Sequence, residues 1–467
     1  MKFCTKCGAQ IPDAKTKFCV KCGAKLAEDQ PKISLEKTES ESTPKSEPVK
    51  SNSVLEAMNK AKEMRAASQE SQQDQQTQQT PPIQSTQPDQ PAQPKSSRKF
   101  IYVAVGVLLL VVLFGMFAGN STTTTTSEAE KYFNLGVKYY DEKNYDKAIE
   151  NFNKVIELEP NNDGAYFKRG SAYSNLENYN QAIADFDKSI QLAPNNSSAY
   201  VNRGNTYHDL QNYTQAIADF DKAIQIDPNF ALAYYNRGNV YYDLKNYNQA
   251  IADYNKAIQL DPNFALAYNN RGNAYSNLQN YKQAIADYDK VIQLDSKNSS
   301  AYLNRGNAYH NLQNYTQAIA DFDKAIPLDP SNSSAYFKRG LAYANLQNYT
   351  QAIADYDKAI QLDPNYALAY SNRGIAYVDS KNYQQAIVDF NKVIQLNPND
   401  DKSYVLRGGA YLFLENYNLA LADFDKAIQL NPNEGMAYQV RGFAYQMLGN
   451  NARAQADFAK AKSLGVK

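Results

Sequence analysis

Tryptophan is absent from this 467-residue chain and histidine occurs only twice. Two imidazoles are too few for His-based chemistry at several sites. Cysteine is confined to positions 4, 7, 19 and 22, so no disulfide can staple the long C-terminal part. Net charge is also missing. The 49 Lys and Arg are balanced by 49 Asp and Glu, which removes the simplest electrostatic case for a nucleic-acid partner. The balance hides an asymmetry: residues 1–99 hold 16 basic and 12 acidic side chains, residues 120–467 hold 33 and 37. No G-x-G-x-x-G, Walker, G-x-S-x-G or H-E-x-x-H pattern occurs beyond residue 128, so catalysis has no candidate residues and the chain is read as no enzyme.

What is present falls into five segments. Cys4, Cys7, Cys19 and Cys22 give C-x₂-C-x₁₁-C-x₂-C, a spacing that suits one tetrahedral Zn²⁺ held by four thiolates. The halves echo each other as Phe3-Cys4-Thr5-Lys6-Cys7-Gly8 and Phe18-Cys19-Val20-Lys21-Cys22-Gly23. Residues 1–26 resemble the small zinc-ribbon family, with structural zinc supplying most of the folding energy. A redox C-x-x-C pair is the competing reading. Six lysines make the ribbon basic, which leaves nucleic-acid contact open, although a solvated lysine surface is the commoner meaning.

Residues 27–99 are rich in Gln, Ser, Pro and charge and read as a disordered linker. Residues 100–119 are twenty without a charge; as a helix they span about 30 Å, the thickness of a bilayer's hydrocarbon core. Lys95, Arg98 and Lys99 precede the segment and no charge comes after it until Glu128. The positive-inside rule then predicts a single-pass cell-membrane protein with a cytoplasmic N-terminus and an extracytoplasmic C-terminal part. A Thr-rich tether, 120–128, joins the span to that C-terminal part.

From Ala129 onward the chain repeats every 34 residues. Gly recurs from Gly136 to Gly442, Tyr from Tyr132 to Tyr438 and again from Tyr139 to Tyr445. Ten units fit, beginning at 129, 163, 197, 231, 265, 299, 333, 367, 401 and 435. Within unit four, Tyr234, Gly238 and Tyr241 share one helical face, and Ala250, Tyr254, Ala257 and Ile258 share another. Asn246 and Gln249 predict a capping box at the second helix, and Asp261-Pro262 predicts its end. Period and residues resemble the tetratricopeptide repeat, a helix–turn–helix unit. The resemblance implies an all-α fold, a right-handed superhelix of ten repeats over residues 129–467, with protein or peptide ligands in its concave groove.

Two further patterns stand out. Arg occupies position 7 and Asp position 23 in units two to ten, whereas unit one lacks both, with Leu135 and Asn151. An Arg237–Asp253 pair within the hairpin is therefore expected. Asparagine occupies positions 6 and 9 of units three to six: Asn202, Asn205, Asn236, Asn239, Asn270, Asn273, Asn304 and Asn307. This row is similar to the asparagine ladder of the superhelix in O-GlcNAc transferases, and the likeness implies a hold on extended peptides by their main chain. The bland alternative is an exposed polar face inherited by duplicated copies. His208 and His310 share position 12 three units apart, too distant for a common metal ion. Groove lysines are scattered (Lys168, Lys338, Lys402), which disfavours a carboxylate clamp for a chaperone tail. Two functions remain: a membrane-anchored scaffold that binds protein or extended peptide segments, or a structural spacer or surface-assembly element without a specific ligand site.

Overall fold

The computed structural model describes residues 127–466 and, near the N-terminus, residues 2–3 and 10–11. The linker, the apolar segment 100–119 and the four cysteines lie outside the described residues. Lys2–Phe3 and Gln10–Ile11 pair as antiparallel strands, Lys2 opposite Ile11 and Phe3 opposite Gln10. Among the described residues no helix is long and apolar enough to cross a membrane.

Twenty helices among the described residues run from Glu128 to Ser463, two per 34-residue unit. In unit four the first is Ala231–Asp243 and the second Tyr247–Leu260, closed by Asp261 before Pro262 as expected. Each second helix is apolar on one face, and its position-24 ring is the centre of the unit. Phe152, Phe186, Phe220, Tyr254, Tyr288, Phe322, Tyr356, Phe390 and Phe424 are all essentially inaccessible. The position-8 glycine makes room for that ring. A Cβ on Gly238 would stand 2.8 Å from Cε1 of Tyr254, closer than two carbons tolerate. Buried alanines such as Ala233, Ala250 and Ala257 bring the backbones together around it.

The turn between the two helices of a unit is a Schellman motif made mostly without glycine. In unit five, Asn280 N–H donates to the Tyr275 carbonyl and Gln279 N–H to the Ser276 carbonyl. Gln279 sits at φ 58°, and eight other non-glycine residues occupy the same left-handed position; only the last unit uses Gly, Gly449. The expected capping box is not formed. Asn246 makes no side-chain cap bond; its amide donates instead to the Gln249 side chain. That bond occupies the Gln249 oxygen which the box would turn to the Asn246 backbone N–H.

First helices are capped in two ways. Asn162, Asn196, Asn298 and Asn332 accept from the backbone N–H three residues on. Phe230, Phe264 and Tyr366 occupy the same place with no cap bond. Two of these rings, each the last residue of its unit, lie back against that unit's first helix instead, Phe264 4.8 Å from Tyr235 and Tyr366 4.9 Å from Phe337. Ring packing thus stands in for a capping bond.

The C-terminal end carries a closure that the sequence pattern does not announce. Val466 N–H donates to the Ala461 carbonyl and Gly465 N–H to that of Lys462, with Gly465 at φ 89°. The turn brings Val466 back over Gly435, where a Cβ would come within 2.6 Å of its Cγ2. Gln455 and Lys462, at positions that hold Ile in most other units, are exposed. The end is polar outside and sealed by its own tail.

Candidate ligand-binding face

The arginine at position 7 holds the stack together. Arg237 Nε and Nη2 donate to Asp253 at 2.8 and 2.6 Å, a two-pronged pair within the unit. All nine position-7 arginines do the same, from Arg169–Asp185 to Arg441–Asp457. The expected pair is therefore present. Spacing within the hairpin did not reveal the third prong: Arg237 Nη1 donates at 2.5 Å to Asp221 of the preceding unit. Position 25 supplies Asp or Asn to every such arginine, as in Arg271–Asn255 and Arg339–Asp323. The guanidinium also lies over the position-4 ring, Arg237 5.7 Å from the Tyr234 centroid. Hydrogen bonds donated to Asp253 push the Arg237 guanidinium further up from its already high range. A signal was available: unit one has Leu135 for Arg, and unit ten has Ala459 at position 25 where the other nine units hold Asp or Asn.

The clasp ties each first helix to the second helices of its own unit and of the preceding one, and side chains of neighbouring first helices meet in two polar rows. In one, position 12 meets position 13 of the next unit. Tyr140 accepts from Asn175 at 3.0 Å and Tyr242 from Asn277 at 2.8 Å. His208 Nε2 lies 2.7 Å from Asp243 Oδ2, and His310 Nε2 3.3 Å from Asn345 Nδ2. The two histidines thus belong to separate junctions. Burial, with the Lys338 ammonium nearby, pushes His310 down to about 4.

The other row contains the eight asparagines. Position 9 of one unit meets position 6 of the next. Asn270 Nδ2 donates to Asn239 Oδ1 at 2.9 Å and to the Tyr235 hydroxyl at 3.1 Å. Asn304 Nδ2 donates to Asn273 Oδ1 at 3.2 Å and to Asn269 Oδ1 at 3.4 Å. Tyr254 and Tyr288, from the second helices, donate to the same Asn239 and Asn273 oxygens at 2.9 and 2.8 Å. Asn202 reaches Ser171 of the preceding unit at 3.3 Å. Asn236 is buried, 4% exposed, and the other seven are half-buried. Part of the hydrogen-bonding capacity assigned to a ligand is thus spent between repeats. What remains faces outward: Asn239 Nδ2 and Asn273 Nδ2 are solvent-accessible and without a protein partner among the described residues.

Beyond unit six position 9 loses its carboxamide, while position 6 holds Lys338 and Asn372 before turning apolar at Leu406 and Val440. Position 9 holds Leu341, Ile375, Gly409 and Phe443. Val378, Leu406, Leu412 and Val440 on these helices are buried. The carboxamide face is therefore confined to the middle of the stack. Among the described residues no cluster of His, Cys, Asp and Glu could hold a metal ion, and the cysteine tetrad lies outside them.

Comparison with known families agrees with this architecture. Tetratricopeptide-repeat models match residues 129–162, 164–196, 265–298, 333–366 and 367–400. Related repeat models match 204–245, 238–279 and 306–347, with 186–218, 287–320 and 401–434. A zinc-ribbon domain model matches residues 3–26. Among curated proteins no match is found. Among solved structures, YrrB, a TPR protein described as having an unusual peptide-binding site, is 27% identical over 40% of this chain and 97% of its own, with TM-score 0.37. A tetratricopeptide repeat protein of Parabacteroides merdae is 21% identical over 53% and 98%, TM-score 0.41. Yeast Tom70 is 17% identical over 73% and 92%, TM-score 0.35. With these models together spanning residues 129–434, more than half of its length, the chain belongs to the tetratricopeptide-repeat family and carries an N-terminal zinc-ribbon domain.

Proposed function

We propose that the protein is a membrane-anchored scaffold that holds an extended peptide segment along the carboxamide face of its first helices. One observation carries the reading: Asn239 and Asn273 keep outward amide groups free although their oxygens are tied down. A carboxamide contacts a peptide unit without reading its side chain. Each bond contributes only about 1 kcal/mol net, so affinity is on the order of micromolar. In this reading residues 100–119 anchor the chain, the N-terminus is cytoplasmic and the repeats lie outside. The four thiols of Cys4, Cys7, Cys19 and Cys22 are a donor set suited to zinc, and the strand pairing of residues 2–3 with 10–11 brackets the first two.

The test is selection of a random 12-residue peptide library on the full chain in detergent. Replacing Asn236, Asn239, Asn270 and Asn273 by Ala, with melting temperature checked, should weaken the selected peptides at least tenfold. Failure to select any peptide, with self-association alone, puts the spacer reading in its place. Protease shaving of intact cells checks the orientation, and metal analysis of the reduced protein checks for one zinc per chain.

A further inference from the structure

The asparagine row behaves differently in its middle and at its two ends, and the difference tracks position 24. Units four and five carry Tyr254 and Tyr288 there, whereas units three and six carry Phe220 and Phe322. Asn239 Oδ1 receives two donors, the Tyr254 hydroxyl and Asn270 Nδ2. Asn273 Oδ1 likewise receives Tyr288 and Asn304. A carboxamide oxygen has two lone pairs, so in both residues the oxygen is filled and the N–H₂ end is left to face outward. Where position 24 beneath the position-9 asparagine is Phe the row breaks, at the junction of units three and four and in unit six. Asn236 Nδ2 is buried and finds no acceptor, although Asn205 of the preceding unit occupies the corresponding place. Asn307 Oδ1 is buried and finds no donor. Without a phenol beneath it, nothing fixes which end of the carboxamide meets its neighbour.

We infer that Tyr254 and Tyr288 are positioning residues that turn the Asn239 and Asn273 amides toward the ligand, so that recognition is confined to units four and five and demands two acceptors one repeat apart. The inference rests on the peptide-binding reading above and makes it directional. Packed helices lie about 8–10 Å apart, and an extended polyproline-II chain rises about 3.1 Å per residue with three residues per turn, so carbonyls three residues apart lie on one side about 9 Å from each other. The two acceptors are therefore main-chain carbonyls three residues apart. A hydroxyl-bearing side chain would offer acceptors at no fixed spacing.

An internal control exists. Tyr356 occupies position 24 of unit seven, where position 9 is Leu341, and its hydroxyl is buried with no partner. Tyr356→Phe removes the same atom from the same kind of site without touching a carboxamide. Phe is also the residue of the neighbouring units, so the fold accommodates either change. The experiment measures the affinity of a library-selected 12-residue peptide for the full chain and for Y254F/Y288F, Y356F and N239A/N273A. Y254F/Y288F should bind at least tenfold more weakly at unchanged melting temperature, and Y356F should bind as the parent does. Thioamide replacement along the peptide, which weakens one carbonyl acceptor at a time, should lower affinity at two positions three residues apart. In the ligand-free protein, ¹⁵N-asparagine side-chain signals of Asn239 and Asn273 should move in Y254F/Y288F and stay in Y356F. If Y254F/Y288F binds as Y356F does while N239A/N273A loses the peptide, the positioning role is overturned and the peptide reading stands. If N239A/N273A also binds normally, both fall.

Discussion

Replacing Arg237 by Leu, the residue that stands at this position in unit one, tests how the stack is held. Asp253 is 6% exposed and takes two of the three guanidinium bonds, while Asp221 is more than half exposed and takes the third. Loss of Arg237 leaves a buried carboxylate unpaired, which costs about 3–5 kcal/mol. Asp221→Ala removes an exposed partner and should cost about 0–1 kcal/mol. The double variant R237L/D253N copies the Leu135–Asn151 arrangement of unit one and should recover most of the loss, because no charge remains buried. Repeat stacks open unit by unit rather than all at once, so a single melting curve is a poor readout. Amide hydrogen exchange of peptides from residues 231–264 reports the local opening. For R237L exchange there should rise by roughly 10²–10⁴-fold at pH 7, and for D221A by less than tenfold. Equal effects of R237L and D221A would show that the in-unit pair is not what holds the hairpin.

Gly238→Ala should destabilise by about 1–3 kcal/mol, seen as faster exchange in the same peptides, because its Cβ meets the immobile Tyr254 ring at 2.8 Å. Gln279→Gly relieves a left-handed backbone at φ 58° and should raise stability by roughly 0.5–1 kcal/mol, read as a higher denaturant midpoint. His310 gives a pH signature. Its folded pKa of about 4 lies below the unfolded value of about 6.5, so the unfolded chain binds the extra proton between them. Stability from the neutral ring is complete above about pH 6.5 and is lost as pH falls through about 4. His310→Tyr reproduces the Tyr242–Asn277 contact opposite Asn345 and should flatten this acid slope by close to one proton, measured as stability against pH for variant and parent. A slope that does not change would place the acid sensitivity elsewhere.

Much of the repeat architecture is a property of single units, and it was readable residue by residue. The 34-residue period, the helix ending at Asp261-Pro262 and the Arg237–Asp253 pair all derive from spacing within one hairpin, where a pattern of 3.6 residues per turn projects directly onto a face. The joint absence of Arg and Asp from unit one was enough to pair them. Contacts between units depend on the rotation from one hairpin to the next, which no local spacing states. For that reason the third arginine bond to Asp221 and the bond from Asn270 to Asn239 emerged only in three dimensions. The turns escaped for another reason: Lys, Glu and Gln at positive φ carry no turn signature, and only Gly449 betrays the shared geometry. Eight asparagines look equivalent in the sequence. Tertiary structure separates them, because a phenol from the second helix reaches the carboxamides of Asn239 and Asn273, while Asn205 and Asn307 belong to units whose ring has no hydroxyl to offer.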